Sequence, residues 1–510
     1  MITNVLEYLE ASKERFPSKT AFADVETAYT YQETYTLSRA IASRLLSFGQ
    51  RRRPVAVLIG RNALSILGFF GVVYSGNFYV PVDQKLPTNR IRTILSTMEP
   101  LCVLGKSEDL DKLSEALEGR SLVSFEEALA TPVDNTRLAS VRETHLDLDP
   151  LYTIFTSGST GVPKGVTICH RSVIDLAEQF YKVFHFQPQE VFANQAPFDF
   201  DVSVKDIYNT IRNGCTLEVI PQSMFVMPKK LMAHLNQRKV TTLIWAVSAL
   251  SVLTTMKVLD KQCPEYLQRI MFSGEVMPIK VLRYWQTHLP NVQYVNLYGP
   301  TEITCNCTYY IVDREFKDTE TLPIGIPFPN TEILLLDENQ KPVSHGETGE
   351  ICVRGSCLAL GYYSNPENTS KAFIQNPCQN AYPEWIYRTG DMGRYGKDGL
   401  LYFASRKDAQ IKHMGHRIEL GEIETAIQAL SYIHSCCCLY DENHGKIVLF
   451  YQSEAPMDKQ ILSDLQKDLP KYMCPNRLVW YENIPRNTHG KVDRAFLKNH
   501  ALKEGDSHEV

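Results

Sequence analysis

Residues 156–165 read TSGSTGVPKG, a loop of small hydroxyl residues and glycines with one lysine, and the apolar stretch LYTIF precedes it at residues 151–155. Glycines let a backbone approach a ligand closely, and the hydroxyls, the backbone N–H groups and the Lys164 ammonium can all donate to phosphate oxygens. An ordinary turn or linker has a similar composition. The GxxxxGK[ST] phosphate loop is excluded, because Pro163 replaces its second glycine and Gly165 its final hydroxyl residue. The stretch is therefore a strand that runs into a candidate polyphosphate loop.

Length and charge limit the classes of protein to consider. The chain has 510 residues, more than one hydrophobic core usually organises, so at least two domains are expected. Hydrophobic residues make up 44% and charged residues 22%, as in an ordinary globular protein. The net charge of -5 gives no basic field for nucleic acid or for an anionic membrane. Neither is expected as a partner.

Cysteines and apolar runs indicate the compartment. The thirteen cysteines are scattered without a CxxC pair, which predicts reduced thiols in a cytoplasmic protein. Residues 1–17 form a charged amphipathic pattern and not a signal peptide. Residues 63–79 are apolar but interrupted by glycine, serine and asparagine, so they lack the unbroken run of about 18 apolar residues that a membrane span needs. They predict a buried helix leading to a strand.

Alternating patterns predict an α/β fold. Strands at 54–59 and 79–82 flank a helix at 63–75, a β-α-β unit that implies a mostly parallel sheet. Short strands and turns around 324–353 indicate a β-rich subdomain, about 315–400. The prediction is a large N-terminal domain of mostly parallel sheets with helices at 1–405 and a small mobile α+β domain at 409–500. A flexible tail follows at 501–510.

The polyphosphate loop is one of a series of motifs. In chain order the series is VVYSGNFYVPVD (72–83), TSGSTGVPKG (156–165), NLYGPTE (296–302), GEI (349–351), YRTGD (387–391), SRKD (405–408), GHRIELGEIE (415–424), LPKYM (469–473) and GKVDR (490–494). The series resembles the adenylate-forming superfamily of acyl-CoA synthetases, luciferases and nonribosomal peptide synthetase adenylation domains. FDFDVSVKDIY (198–208) and FSGEVMP (272–278) are most similar to amino-acid adenylation domains and stand-alone D-alanine–carrier protein ligases.

The resemblance implies an ATP site with Mg²⁺. It assigns the β- and γ-phosphates to Thr156, Ser157, Thr160 and Lys164, adenine stacking to Tyr298, the α-phosphate to Thr301, Mg²⁺ to Glu302, and the ribose hydroxyls to Asp391, with Arg406 reaching ribose or phosphate. Gly158, Ser159, Gly161, Asn296, Gly299 and Phe403 complete the implied ATP site. Lys491 is the implied catalytic lysine, between the substrate carboxylate and the α-phosphate, and it acts with Thr301 and Glu302. Two anionic reactants need such positive charge and orientation.

The resemblance also implies an amino-acid site. Asp201 would pair with the α-ammonium, and the side-chain pocket would contain Val202, Lys205, Met271, Ser273, Gly274, Leu297, Cys305 and Asn306, with Ala246 less securely placed. Lys205 does not fit an apolar pocket, because a buried ammonium without a partner is costly. Either its head group reaches solvent along an apolar stem, or the substrate has a polar or carboxylate side chain that pairs with it.

The implied reaction is adenylation of an amino acid by ATP, followed by thioester formation on a phosphopantetheine thiol. Only sixteen residues follow Arg494, so the carrier is expected to be a separate protein. A hinge is expected at Asp408, because the thiol must reach the place that Lys491 leaves. An acyl- or aryl-CoA ligase would use CoA and need no Asp201, and a non-catalytic protein would have lost Lys164, Glu302, Asp391 or Lys491. The sequence leaves open which amino acid is activated and whether it is D or L.

Overall fold

The computed structural model describes residues 2–157, 163–407, 410–442, 444–486 and 492–501. They form two compact units. The larger unit contains residues 2–84, 98–154 and 165–407, and the smaller contains the described residues of 85–97, 155–164 and 408–510. The change of unit after residue 407 lies near the predicted domain boundary, whose limits remain a prediction.

Helices and strands alternate along the chain. The helices are α1 (Leu6–Arg15), α2 (Tyr31–Leu45), α3 (Ala63–Tyr74), α4 (Thr88–Met98), α5 (Ser107–Lys112), α6 (Phe125–Leu129), α7 (Asn135–Glu143), α8 (His170–Phe184), α9 (Val202–Asn213), α10 (Pro228–Gln237), α11 (Val247–Thr255), α12 (Ile279–His288), α13 (Pro366–Ala372), α14 (Leu420–Gln428), α15 (Asp458–Leu465) and α16 (Arg494–Phe496). Short 3₁₀ segments lie at Leu46–Phe48, Gln222–Val226, Thr301–Ile303 and Lys471–Met473, and a π turn lies at Leu497–Ala501.

The strands are β1 (Thr20–Ala23), β2 (Ala28–Thr30), β3 (Pro54–Ile59), β4 (Phe78–Asp83), β5 (Val103–Gly105), β6 (Leu122–Ser124), β7 (Pro150–Thr156), β8 (Lys164–Cys169), β9 (Val191–Asn194), β10 (Thr216–Val219), β11 (Thr242–Ala246), β12 (Arg269–Ser273), β13 (Gln293–Tyr298), β14 (Thr308–Ile311), β15 (Ile326–Pro327), β16 (Thr331–Leu336), β17 (Gly349–Gly355), β18 (Gly361–Tyr362), β19 (Phe373–Gln375), β20 (Trp385–Tyr395), β21 (Leu401–Arg406), β22 (Gln410–His413), β23 (His416–Glu419), β24 (Ser435–Asp441), β25 (Lys446–Gln452) and β26 (Arg477–Tyr481).

Three sheets organise the larger unit. One runs β15-β14-β13-β12-β11-β9-β10-β1-β2, and its inner strands are parallel. A second runs β18-β8-β7-β4-β3-β5-β6 and is parallel from β7 to β6. The third, β16-β17-β20-β19 with β21 beside β20, is antiparallel. The predicted mixed α/β fold with a β-rich part is confirmed.

Local sequence explains the first β-α-β unit. The continuous apolar run of β3 is buried at every position, as expected for a central parallel strand. Asn62 caps α3, because its side-chain oxygen accepts the Ser65 N–H at 3.0 Å. Every residue of α3 except Leu64 is buried, and α3 leads into β4, which pairs in parallel with β3. The apolar stretch is thus a core helix, and no helix among the described residues is long and apolar enough to cross a membrane.

The smaller unit has its own sheets and core. β22 pairs with β23 as a hairpin, and β24, β25 and β26 form a second sheet against which α14 packs. Arg90 of α4 forms a buried ion pair with Glu422 of α14 inside this unit. None of the thirteen cysteines, all of which are described, forms a disulfide.

Candidate active site

Three parallel strands of the larger unit end at one edge of their sheet. Ala246 of β11 lies opposite Ser273 of β12, and Phe272 lies opposite Asn296 of β13, so these strands end side by side. Ligands of open α/β sheets bind at the carboxyl ends of the strands. The predicted residues Ser273 and Leu297 lie at this edge and are buried. The edge is therefore the candidate active site.

The turn after β13 is tightly built. A Cβ atom on Gly299 would lie 2.7 Å from the Asn306 Cα and from the Cys305 carbonyl oxygen, so only glycine fits there. Thr304 and Cys305 have left-handed φ values of 58° and 79°, which are costly for side chains of these types. The Thr304 hydroxyl donates to the Cys357 carbonyl at 2.7 Å and helps to hold this conformation.

An ion pair and a hydroxyl converge on Asp391. Asp391 of β20 lies opposite Arg406 of β21, and the Arg406 guanidinium donates to its carboxylate. The Tyr298 hydroxyl donates to the other carboxylate oxygen at 2.6 Å. Burial and the neighbouring carboxylate raise the pKa of Tyr298, so its phenol remains a donor. Three residues predicted for the ATP site are thus in direct contact.

Glu302 is the candidate ligand for Mg²⁺. It lies in the 3₁₀ segment after β13, is 1% exposed, and accepts a hydrogen bond from the Tyr362 hydroxyl at 2.9 Å. Protein sites often hold Mg²⁺ through one or two carboxylates together with substrate phosphates and water. The single buried carboxylate of Glu302 fits that donor set. Tyr362 was not predicted from the sequence, because it lies 60 residues away outside any recognised motif.

The start of the polyphosphate loop contacts β23 within the smaller unit. Ser157 follows β7, and its hydroxyl donates to the Arg417 carbonyl at 2.7 Å and accepts the Glu419 N–H at 3.0 Å. Lys164 begins β8 and is half-buried. The hydroxyl predicted to bind phosphate is therefore bound by backbone groups here, which the sequence did not reveal.

The N-terminus of α9 supplies the predicted substrate residues. Asp201 immediately precedes α9 and is buried, while Val202 packs with Ala196 and Cys305 in one apolar cluster. Lys205 is 0% exposed, and its Nζ donates to the Ser273 Oγ at 3.2 Å. The expectation that this head group reaches solvent is wrong, because every residue of α9 except Arg212 is buried.

The remaining predicted residues fall into two groups. Met271, Cys305 and Asn306 are buried, Phe403 is partly buried, and the Asn296 amide donates to the Pro323 carbonyl at 2.9 Å. Gly274 has φ 97° with open space where a Cβ would lie. Gly158, Ser159, Thr160, Gly161, Asp408 and Lys491 lie outside the described residues.

A buried polar cluster lies beside the site and was not predicted from the sequence. Asp206 of α9 accepts the Asn194 side-chain amide at 2.7 Å, and the Arg61 guanidinium donates to the Ile220 carbonyl at 2.8 Å. Burial raises the pKa of Asp206 to about 7, although the positive charges of Lys205 and Arg61 act to lower it. The pKa of Asp199 is also raised to about 7, by burial and by the nearby charge of Asp83. Only the fold brings these distant residues together.

Asp206→Asn is expected to stabilise the protein at alkaline pH. In the folded state Asp206 keeps its proton up to about pH 7, whereas the unfolded chain releases it near its ordinary value, about 3.9. Its contribution to the free energy of unfolding therefore falls as pH rises from about 4 to 7, and the whole penalty is present above 7. Asparagine keeps the acceptor for Asn194, so a gain of roughly 1–3 kcal/mol is expected at pH 8 and little change at pH 4.

Chemical denaturation at the two pH values measures this difference. The exposed Asp111→Asn is the matched control and should shift neither curve. A loss of stability at pH 8 in the Asp206 variant would mean instead that an ionised carboxylate stabilises Arg61 or Lys205.

The fold and the site together define an adenylate-forming enzyme. A family model described as AMP-binding enzyme matches residues 9–363. The chain belongs to the AMP-binding enzyme family, and the prediction of an AMP-forming ligase is confirmed. Enzymes of this family use ATP.

Two proteins with similar sequences and one solved structure show which members of the family the chain resembles. The chain is 32% identical to the D-alanine--D-alanyl carrier protein ligase of Bacillus licheniformis over 97% of its own length and 99% of that protein. It is 34% identical to a linear gramicidin synthase protein of Brevibacillus parabrevis over 97% of its length, but spans only 6% of that protein. The Vibrio cholerae adenylation domain AlmE, solved with glycyl-adenosine-5'-phosphate, has the same fold, with a TM-score of 0.83, 22% identity and 98% coverage of both chains.

Proposed function

We propose that the protein adenylates a free amino acid with ATP and transfers the aminoacyl group to the phosphopantetheine thiol of a separate carrier protein. The observation that carries the proposal is a buried carboxylate, Asp201, which directly precedes Val202 of the apolar cluster that also contains Cys305. Such a carboxylate receives the α-ammonium of an amino acid, which fatty and aromatic acids lack. The full-length likeness to a carrier protein ligase supports the same acceptor.

The chemistry has two steps. A substrate carboxylate oxygen attacks the α-phosphorus of ATP, the bond to the bridging oxygen breaks, and pyrophosphate leaves. The carrier thiolate then attacks the acyl carbon and AMP leaves, so one thioester replaces one mixed anhydride. Thr301 donates toward the α-phosphate and Asp391 accepts from the ribose hydroxyls. Glu302 would hold Mg²⁺, which neutralises phosphate charge during transfer.

Two assays test this function. Amino-acid-dependent ATP–pyrophosphate exchange across the twenty amino acids and D-alanine reports the first step. Transfer of radiolabelled amino acid to holo carrier protein, with apo carrier and coenzyme A as alternative acceptors, reports the second. Exchange with loading of the holo carrier alone supports the proposal, whereas transfer to coenzyme A supports the rival acyl-CoA ligase.

Asp201→Ala is expected to lower kcat/KM for the preferred amino acid by about 100-fold, because truncating one partner of a buried charge pair costs roughly 2–5 kcal/mol. The KM for ATP should change little, since the ribose and phosphate contacts remain. The decisive measurement compares the amino acid with its deaminated acid. Wild type should strongly prefer the amino acid, and the variant should lose that preference. An unchanged preference would show that Asp201 does not bind the ammonium.

A further inference from the structure

Lys205 is a buried cation that forms no ion pair with any carboxylate among the described residues. Its Nζ has no exposed surface, and its hydrogen-bonding neighbours are the Ser273 hydroxyl at 3.2 Å and the Cys305 thiol. Among the described residues, no carboxylate oxygen lies within 4.0 Å of the Lys205 Nζ, the limit for an ion pair. This holds for Asp201 and Asp206 as well. Asp206 is an incomplete counter-ion, because burial raises its pKa to about 7.

Nearby groups compensate the charge of this ammonium only in part, because Asp206 acts on it from beyond ion-pair distance. Burying a charge costs several kcal/mol unless it is paired and fully hydrogen-bonded. Lys205 also lies near the N-terminus of α9, where the helix dipole disfavours a cation. Its uncharged neighbours Ser273 and Cys305 satisfy hydrogen bonds but not the charge. Ligand binding therefore explains a lysine at position 205 better than the stability of the folded protein does.

The position of Lys205 indicates which part of a ligand it meets. Lys205 lies one helical turn after Asp201, so the two side chains share a face of α9. Ser273 ends β12 at the carboxyl edge of the sheet, and Cys305 packs with Val202. An amino acid whose ammonium is held by Asp201 would therefore direct its side chain toward Lys205 and Ser273.

We propose that the activated amino acid carries an acidic side chain, as aspartate and glutamate do, and that its side-chain carboxylate pairs with Lys205. This inference rests on the proposed function. The Ser273 hydroxyl can accept from the ammonium and donate to the same carboxylate, so the charge and both hydrogen-bonding groups are matched. Alanine or glycine would leave the buried ammonium unpaired.

The wild-type protein gives the first test. ATP–pyrophosphate exchange is measured with L- and D-aspartate, L- and D-glutamate and 2-aminoadipate, together with the neutral amino acids and both alanines. Exchange that is at least 10-fold faster with an acidic amino acid supports the inference. Exchange that prefers a neutral amino acid, D-alanine included, overturns the inference and leaves the proposed function standing. No exchange with any amino acid overturns the proposed function itself.

Variants give the second test. Lys205→Met keeps the length and removes the charge, and it should lower kcat/KM for the acidic substrate by about 100-fold while improving the neutral amide or thioether analogue. Ser273→Ala should have a smaller effect in the same direction. Lys280→Met, at an exposed lysine, is the matched control and should leave both substrates unchanged. Equal losses for acidic and neutral amino acids in Lys205→Met would overturn the inference.

Discussion

Lys491→Ala is expected to lower amino-acid-dependent pyrophosphate exchange by about 10²–10³-fold, the usual cost of removing one donor that stabilises developing charge. The attacking carboxylate and the α-phosphate are both anionic, so the transition state needs a cation between them. Lys491 lies outside the described residues, and its role is inferred from the GKVDR motif. ATP binding, measured by calorimetry, should persist because Asp391 and Tyr298 remain.

The control uses another lysine of the same segment. Lys498 is exposed, and Lys498→Ala should leave exchange within about 2-fold of wild type. Exchange in Lys491→Ala that stays within a few-fold of wild type would remove Lys491 from the chemistry. Loss of ATP binding would point to a binding role instead of a catalytic one.

The sequence predicted elements where local pattern and tertiary environment agree. The apolar run at 54–59 is β3 to the residue, and the apolar helix ends one residue before its predicted limit. The apolar residues Ile423, Ile427 and Leu430 predict one amphipathic helix over 418–430, yet α14 runs only from Leu420 to Gln428. Residues 418 and 419 belong to β23 instead, because Glu419 pairs with Gln410 across the hairpin. A pairing between separate segments overrides a helical pattern.

The candidate site shows the same limit. The motifs indicated that Tyr298, Asp391 and Arg406 are needed, but not that the Tyr298 hydroxyl and the Arg406 guanidinium both donate to Asp391. The solvent-reaching Lys205 was a reasonable expectation, since long cations usually keep their charge in water. The expectation is wrong because α9 is buried on all sides. The pattern of one helix does not reveal how much of it the rest of the protein covers. The sequence did not predict the role of Arg61, because this residue lies well over a hundred residues before Asp199 and Asp206 in the chain.

We propose Asp408 as the hinge on which the two steps depend. The Lys407 N–H donates to the Gly390 carbonyl at 2.8 Å, so the larger unit holds the chain up to that residue. Gln410 is already paired with Glu419 in the β22–β23 hairpin of the smaller unit. Lys407 and Gln410 are thus each held within a different unit. A large change of φ and ψ in this part of the chain must therefore occur at the residues that join them. Asp408→Pro fixes φ near −65° and should remove that freedom.

The expected result is a separation of the two half-reactions. Asp408→Pro should keep pyrophosphate exchange within a few-fold of wild type and abolish loading of the holo carrier, because in the proposed mechanism the thiol must reach the place that Lys491 would leave after adenylation. Asp408→Ala is the matched control, since it removes the same carboxylate but leaves φ free, and it should retain both activities. If the proline variant loses both half-reactions equally, or loads the carrier normally, residue 408 is not where the chain turns. Loss of loading in the alanine variant would instead assign the effect to the carboxylate.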